Sequence, residues 1–326
     1  MSDWKHVSIV IPVYNEEKVI IDCLQTLLDC DYPKDKLEFL IADGQSTDDT
    51  VEVINEFSAT QDVEIKVFDN PNKTQGYGLN IAIENANPDS DIILRADAHS
   101  IYPQNYITMC VETLLKSDAD NAGGVMVPIG KNPTQKAVAF CMSHPLGVGN
   151  AKFHLGNFSG FVDTVYLGCF KRSVFEKVGL FDPKMTPNED SEFNLRIREA
   201  KGKIYLDSKI RVEYFPRDTF NKLIKQYFHY GRGRNRSFKK HFKLTSLRQL
   251  APPVWCVSTL VFLVLTFIWK PCIIPILLYL AAILVSSIIG AVQKRDKSIL
   301  LSALCLLIMH YAWGIGFIYQ MPLKTK

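Results

Sequence analysis

The run DIILRADAHSIY (residues 91–102) carries an apolar, strand-like segment straight into Asp97 and, two residues later, His99. A strand of this kind would be expected to end in a turn of glycine, asparagine or proline; here it delivers a carboxylate and an imidazole. In extended chain, side chains two residues apart point the same way, so both groups can address one ligand. An acid at a strand end can grip a divalent cation that a diphosphate shares. An oxygen donor paired with an imidazole suits manganese as well as magnesium, or better. The plainer reading is that Asp97 caps the following turn and His99 packs. A second such run is RDTFNKLIKQYFHYGRGRNRSFKKHFKLTSLR (residues 217–248), with ten Lys or Arg and one acid. Its Arg232, Arg234 and Arg236 present planar guanidinium groups that match phosphate geometry. A basic patch against anionic lipid explains them equally well.

The elements that must hold these groups alternate in period. HVSIVIP is a short apolar run ended by Pro12, and EEKVIIDCLQTLLDC then carries apolar residues at helical spacing. KLEFLIAD reads as a second strand, and STDDTVEVINEFSA opens with a cluster suited to capping a helix. VEIKVFD, TQGYGLNIAIENA and SDIILRAD continue as strand, helix and strand. Strands alternating with helices imply βαβ units on a mostly parallel sheet, hence an α/β fold. Ligands of such sheets sit outside the carboxyl ends of the strands. Three of these ends are polar: PVYNE after the first, Asp43 after the second and ADAH after the fourth. SHPLGVGNAKFHLGNFSGF (residues 143–161) has little period and reads as a mobile glycine-rich loop able to close over ligands. CFKRSVFEKVGLFDP suggests a short helix ended by Gly179, NEDSEFNLRIREAKG a capped helix closed by Gly202, and KIYLD and KIRVEYF two strands.

The chain of 326 residues can hold one large domain or two ordinary ones. Its net charge of +3 is too small to suggest a nucleic-acid partner. The eight cysteines include no C-x-x-C pair, so buried reduced thiols are expected rather than a zinc site or disulfide framework. Polar residues lie mostly before Gln249, and almost everything beyond is apolar. Three uncharged stretches follow, at residues 251–269, 271–292 and 298–322. About 20 apolar residues span a bilayer, so three transmembrane helices are expected, the first two joined in a tight hairpin at Pro271. The third, with His310 and Gln320, can also be re-entrant or interfacial. The apolar run near the N-terminus is too short for a signal peptide. The basic segment and QKRDK belong on the cytoplasmic side, which places the first domain in the cytosol and the terminal LKTK outside.

VSIVIPVYNEE, IADGQSTDDT, RADAH, VGLFDP and NEDSEFNLRIREAKGKI occur in an order that resembles glycosyltransferase family 2. Residues 6–215 are similar to that family's nucleotide-sugar transferase fold, called GT-A. RADAH, YGRGRNR and the C-terminal apolar stretches most resemble the succinoglycan-type exopolysaccharide glucosyltransferases. The resemblance implies a cytosolic GT-A domain at residues 1–216, a basic juxtamembrane segment at 217–250 and a membrane domain at 251–322, in the inner membrane. Pro12, Tyr14 and Glu16 fall where the family's first loop holds the nucleotide. Asp43 matches the aspartate that meets uracil, while Gly44 stands where a second aspartate is usual. Lys73 and Asn80 lie where the family lines the nucleotide pocket, a position that helix-surface and capping roles explain equally well. DAH occupies the D-x-D metal position, so Asp97 and His99 are the implied ligands of Mn²⁺ or Mg²⁺. His99 contacting phosphate directly is the alternative.

Asp190 matches the family's general base, and Glu189 beside it is expected to orient the acceptor or the loop. Without the resemblance, both are first-turn acids favoured by the helix dipole. Processive relatives carry Q-x-x-R-W; here QYFHY keeps Gln226 but puts His229 and Tyr230 in the last two places, which argues against a processive synthase. Arg232 and Arg234 would clamp the diphosphate of the nucleotide or of a lipid-linked acceptor. The implied activity is inverting transfer of a hexose from a UDP-sugar to a polyprenyl-diphosphate-linked oligosaccharide, with other polysaccharide-assembly proteins as candidate partners. Transfer to polyprenyl phosphate itself and a catalytically silent sugar-nucleotide-binding subunit are the alternatives.

Overall fold

A computed structural model describes residues 4–243 and 247–323. The chain divides into two compact units, Met1–Val127 with Gly156–Tyr214, and Pro128–Leu155 with Phe215–Lys326. The first unit is built on β1 (Val7–Val13), α1 (Ile20–Leu28), β2 (Leu37–Asp43), α2 (Thr50–Ser58), β3 (Glu64–Asp69), α3 (Gln75–Glu84) and β4 (Ile92–Arg95). It continues with β5 (Ser100–Ile101), α4 (Tyr106–Lys116) and β6 (Asn121–Pro128). After the second unit's α5 (Pro133–Met142), α6 (Pro145–Val148) and α7 (Lys152–Leu155), the chain returns with β7 (Gly160–Phe161), β8 (Tyr166–Lys171), α8 (Ser173–Val178), α9 (Glu189–Glu199) and β9 (Ile204–Tyr214).

The strands form one mixed sheet in the order β3-β2-β1-β4-β8-β6-β9-β5, with β7 on β9. β3, β2, β1 and β4 run parallel, with Val7 opposite Leu37 and Ile92, and Val13 opposite Asp43. β8 joins β4 antiparallel and begins the second half of the sheet. β1 and β2 are almost wholly buried, which is why VSIVIPV and LEFLIAD are continuous apolar runs. The edge strand β3 alternates instead. Ile9, Ile11, Phe39 and Ile41 pack with Leu24 and Leu27 of α1 and Ile107 and Leu114 of α4 in one core.

Local chemistry places the helices. Asp48 of the STDDT cluster accepts from Thr50 N (3.2 Å) and Thr50 Oγ1 (2.5 Å). Thr74 caps α3 by accepting from Tyr77 N. Gly179 ends α8 with a left-handed φ of 76°, as the sequence suggests. α9 ends differently: Lys201, not Gly202, takes the left-handed conformation (φ 63°). Gly202 is needed for closeness, since a Cβ there would lie 2.6 Å from Ile197 Cγ2. The two strands expected at KIYLD and KIRVEYF are one continuous strand, β9. The stretch expected as a loop at 143–161 contains α6, α7 and β7; Pro145 opens α6 while His144 Nδ1 accepts from Leu146 N at 3.2 Å.

The second unit also contains α10 (Phe220–His241), α11 (Ala251–Thr266), α12 (Ile274–Lys294) and α13 (Ser302–Gln320). The basic stretch is therefore mostly one long helix. α10 packs on α13 through glycine: a Cβ at Gly231 would lie 2.0 Å from Trp313 O, and one at Gly316 2.1 Å from Phe228 O. At the end of α13, Lys239 Nζ donates to the carbonyls of Gln320 (2.8 Å) and Leu323 (2.6 Å), a favourable place for a cation.

Three helices, Arg248–Thr266, Lys270–Lys294 and Lys297–Gln320, are long and apolar enough to cross a membrane. The third is the most covered by protein, 44% against 22% and 17%. Its polar residues have partners: His310 meets Tyr279 Oη and Leu146 O, both at 2.8 Å, and Gln320 Oε1 accepts from Arg232 Nε at 3.0 Å. Such pairing is what makes polar groups tolerable at membrane depth. A short 3₁₀ turn, Lys270–Ile273, forms the expected tight link at Pro271. Of the terminal LKTK, only Leu323 lies within the described residues. All eight cysteines are free and seven are buried; burial pushes the thiols of Cys23, Cys110 and Cys169 up.

Around α8 and α9, Phe193 stacks on Phe181 (4.4 Å between ring centres) and Phe175 (5.2 Å), with Phe170 edge-on at 5.5 Å. Phe193→Ala empties the middle of this cluster and should destabilise the first unit by about 3–5 kcal/mol. A lower unfolding midpoint of the detergent-solubilised protein is expected; an unchanged midpoint would refute the assignment of this cluster as the anchor of α9.

Candidate active site

The polar strand ends meet as the sequence requires. After β1, Asn15 turns with φ 54°, its N donates to Ser46 Oγ (2.8 Å) and its Oδ1 accepts from Thr47 N (2.8 Å). Glu16 N donates to Thr50 Oγ1 at 2.8 Å. Gly44 N donates to Val13 O at 2.8 Å. The loops after β1 and β2 are thus bonded into one rim. Tyr14 stands on it half exposed, and Pro12 lies within β1 opposite Ala42. Asp43 is buried at the end of β2, accepting from Ser46 Oγ (2.6 Å) and Ser46 N (3.0 Å).

Beyond β4, His99 lies between two carboxylates. Its Nδ1 is 3.0 Å from Glu16 Oε1 and its Nε2 3.4 Å from Asp97 Oδ1. With Nδ1–H given to Glu16, Nε2 turns a lone pair toward the Asp97 oxygen. Two acceptors so placed attract either a proton or a metal ion, and a carboxylate on the far nitrogen is the usual way a ligating imidazole is oriented. Glu16 therefore sits behind His99 and orients it. Among the described residues no three His, Cys, Asp or Glu side chains converge on one point. Asp97 and His99 supply two donors of the right kind, and phosphate oxygens or water would have to supply the rest. The turn that aims them is pegged by Tyr102, whose Oη accepts from Asp97 N (2.7 Å) and donates to Asp97 O (3.2 Å). Burial pushes the Tyr102 phenol well up, so it acts as a neutral peg.

Asp190, in the first turn of α9, forms an ion pair through Oδ1 with Arg95 Nη1. Arg95 is the last residue of β4, two before Asp97, and is buried, with Nη2 3.8 Å from Glu189 Oε1. In the amide orientation that satisfies both neighbours, Gln75 donates to Glu189 Oε1 and accepts from Arg95 Nη2, each at 2.7 Å. α9 starts from Asn188 in the left-handed region (φ 108°), a strained backbone of the kind found at functional sites. One strand end thus provides Asp97 and, through Arg95, holds Asp190. Sequence reasoning missed Arg95 and Gln75. The available signal was a charge at the end of an apolar strand in register with Asp97. Glu189, expected to orient the acceptor or the loop, is 4% exposed.

Two more of the expected pocket residues are Asn80 and Lys73. Asn80 spends its amide on the backbone of Phe181, accepting from its N (3.0 Å) and donating to its O (2.8 Å), so it secures the loop before α9. Lys73 is exposed at φ 59° in the turn before α3. Arg232 and Arg234 belong to the second unit, on α10; the Arg232 guanidinium also lies over the Tyr319 ring, 5.5 Å from its centre.

A parallel half-sheet with ligand-facing loops, continued antiparallel by a strand beside β4, defines a GT-A class of nucleotide-sugar transferase fold. Residues 8–179 match the family described as Glycosyl transferase family 2. The chain is 33% identical over 95% of its length to the succinoglycan biosynthesis protein ExoA of Rhizobium meliloti, covering 93% of that protein. It is 30% identical, over 95% of each chain, to a dolichyl N-acetyl-alpha-D-glucosaminyl phosphate 3-beta-D-2,3-diacetamido-2,3-dideoxy-beta-D-glucuronosyltransferase of Methanococcus voltae. Among solved structures, the mannosyltransferase PcManGT of Pyrobaculum calidifontis superposes with a TM-score of 0.67 over 98% of this chain and 89% of that one, at 18% identity. The chain belongs to glycosyl transferase family 2.

Tyr102→Phe removes both hydrogen bonds to the Asp97 backbone and leaves a covered N–H unpaired, at a cost of about 1–3 kcal/mol. The expected result is a lower unfolding midpoint, and an unchanged midpoint would show that the turn needs no peg.

Proposed function

We propose that this family 2 glycosyltransferase is an inverting enzyme that moves a hexose from a UDP-sugar to a lipid-linked oligosaccharide for exopolysaccharide or capsule synthesis. The observation that carries the reading is the junction at the end of β4, where Asp97 and the Arg95 that holds Asp190 of α9 stand on one short piece of chain. Relatives spanning the whole chain bear names for succinoglycan biosynthesis and for transfer to a sugar on dolichyl phosphate. These names support a lipid-linked sugar as acceptor. The three apolar helices support a membrane location, with residues 1–216 as a cytosolic catalytic domain, 217–250 as a basic juxtamembrane segment and 251–322 in the inner membrane.

In this reading Pro12, Tyr14 and Asp43 receive the nucleotide at the bonded rim of β1 and β2. Asp97 and His99 would hold Mn²⁺ or Mg²⁺, whose charge, when bound, offsets that of the departing diphosphate. Asp190, one-third exposed while its Oδ1 is held, takes the proton of the acceptor hydroxyl as that oxygen attacks the anomeric carbon opposite the leaving group. Such base assistance contributes about 10²–10⁴-fold. Arg232 and Arg234 meet phosphate of the lipid-linked acceptor, a role suited to guanidinium on a helix that packs on apolar α13.

A UDP-sugar panel with purified, detergent-solubilised protein, divalent cation and a lipid-linked acceptor tests the activity, with product linkage read by NMR. Asp190→Asn should bind donor normally and lose at least about 10²-fold in turnover; near-normal turnover would remove Asp190 as base. His99→Asp should shift cation preference from Mn²⁺ toward Mg²⁺, in binding as in turnover. An unchanged preference would argue that His99 meets phosphate rather than metal.

A further inference from the structure

The group around Asp190 contains one more acid than base: the Arg95 guanidinium, the carboxylates of Glu189 and Asp190, and the neutral amide of Gln75. Arg95 and Glu189 are almost fully covered, with side chains 4% and 5% exposed, whereas Asp190 is 34% exposed. A buried charge left without a partner is strongly unfavourable. We propose that Glu189 is a positioning residue that acts through Arg95, keeping the guanidinium paired while Asp190 carries the proton drawn from the acceptor hydroxyl.

The inference rests on Asp190 being the base. In the step concerned, the hydroxyl proton passes to the Asp190 carboxylate and the freed oxygen bonds to the anomeric carbon. The bond from that carbon to the diphosphate breaks, its electron pair leaving on the nucleoside diphosphate. Before the step the group is singly negative; after it the group is neutral, with Arg95 still facing Glu189 and both tied to Gln75. A lone Asp190–Arg95 pair would behave differently, because protonation would strand a covered guanidinium and so resist the transfer. Glu189 supplies the negative charge that Arg95 still faces once Asp190 becomes neutral.

The other charged groups nearby are engaged. Glu192 of α9 is paired with Arg196 at 3.0 Å, and Arg196 Nη2 donates to Leu180 O at 2.7 Å. Asp182, ahead of α9, accepts from Lys184 N at 2.9 Å. Beyond Arg95, the loop after β4 offers Asp97 and His99, which face each other, α3 offers the neutral Gln75, and β8 offers the Tyr166 phenol, which burial pushes well up and keeps neutral.

The test is the pH profile of kcat and of donor KM for the full detergent-solubilised chain. Glu189→Gln removes the extra negative charge, so Asp190 should release its proton more readily. The acid limb of kcat should move down by about one pH unit and the plateau fall about tenfold, with donor KM unchanged. Gln75→Glu sets a third acid against Arg95 and should move the acid limb up. Opposite shifts in the two variants establish the role. A lowered kcat with an unmoved limb, or a Glu189→Gln limb that rises, overturns it and leaves Glu189 a packing residue. If Glu189→Gln does not fold, Gln75→Glu decides alone by whether its limb rises or stays. Failure of the base reading would appear separately, as turnover retained by Asp190→Asn.

Discussion

A guanidinium buried at the end of a strand is the constraint on which this site depends. Arg95 cannot lose its partners without stranding charge in a covered place, so β4, α3 and the first turn of α9 are locked in mutual register. Because Asp97 follows two residues later on the same chain, the separation between Asp97 and Asp190 is set by one short backbone segment and the Arg95–Asp190 ion pair rather than by two independent loops. The aromatic cluster beneath α9 and the Asn80 clamp on Phe181 serve the same end, fixing where α9 begins.

The second unit obeys a different logic. Several polar groups of its long apolar helices find partners within the unit. His310 is closed by Tyr279 and Leu146, Gln320 by Arg232, and the last carbonyls of α13 by Lys239. The basic helix α10 approaches α13 closely because Gly231 and Gly316 have no side chains to hold the backbones apart. Lys136 of α5 reaches Asp296 at 2.9 Å, and the Phe140 ring lies over Gly290, so residues 128–155 belong with the apolar helices.

Period and strand-end chemistry made the parallel half of the sheet readable, along with the Asp43 and Asp97 positions and the helix whose first turn carries Asp190. What stayed hidden was long-range. Arg95 meets Glu189 and Asp190 from more than ninety positions away along the chain, and nothing local announces such a pair. Asn80 has a helix-surface spacing that says nothing of Phe181, a hundred residues on. Glu189 and Asp190 look equivalent in sequence, yet the start of α9 turns one inward and leaves the other accessible. The placement of 128–155 with the C-terminal helices was illegible for the same reason, since its glycines mimic a loop until the packing partners are known. Gly202 misled because glycine has two uses at a helix end, positive φ and close approach, and here Lys201 takes the first.

The stitched rim of β1 and β2 has one more effect. Asn15, Ser46, Thr47 and Thr50 already bond the two loops together, so in the proposed function a nucleotide arriving there would find little disorder left to quench. Preorganised surfaces lose less affinity to ordering. Discrimination between one nucleobase and another at this edge therefore falls on the fit of rigid contacts, and a wrong base cannot be rescued by a loop that reshapes around it.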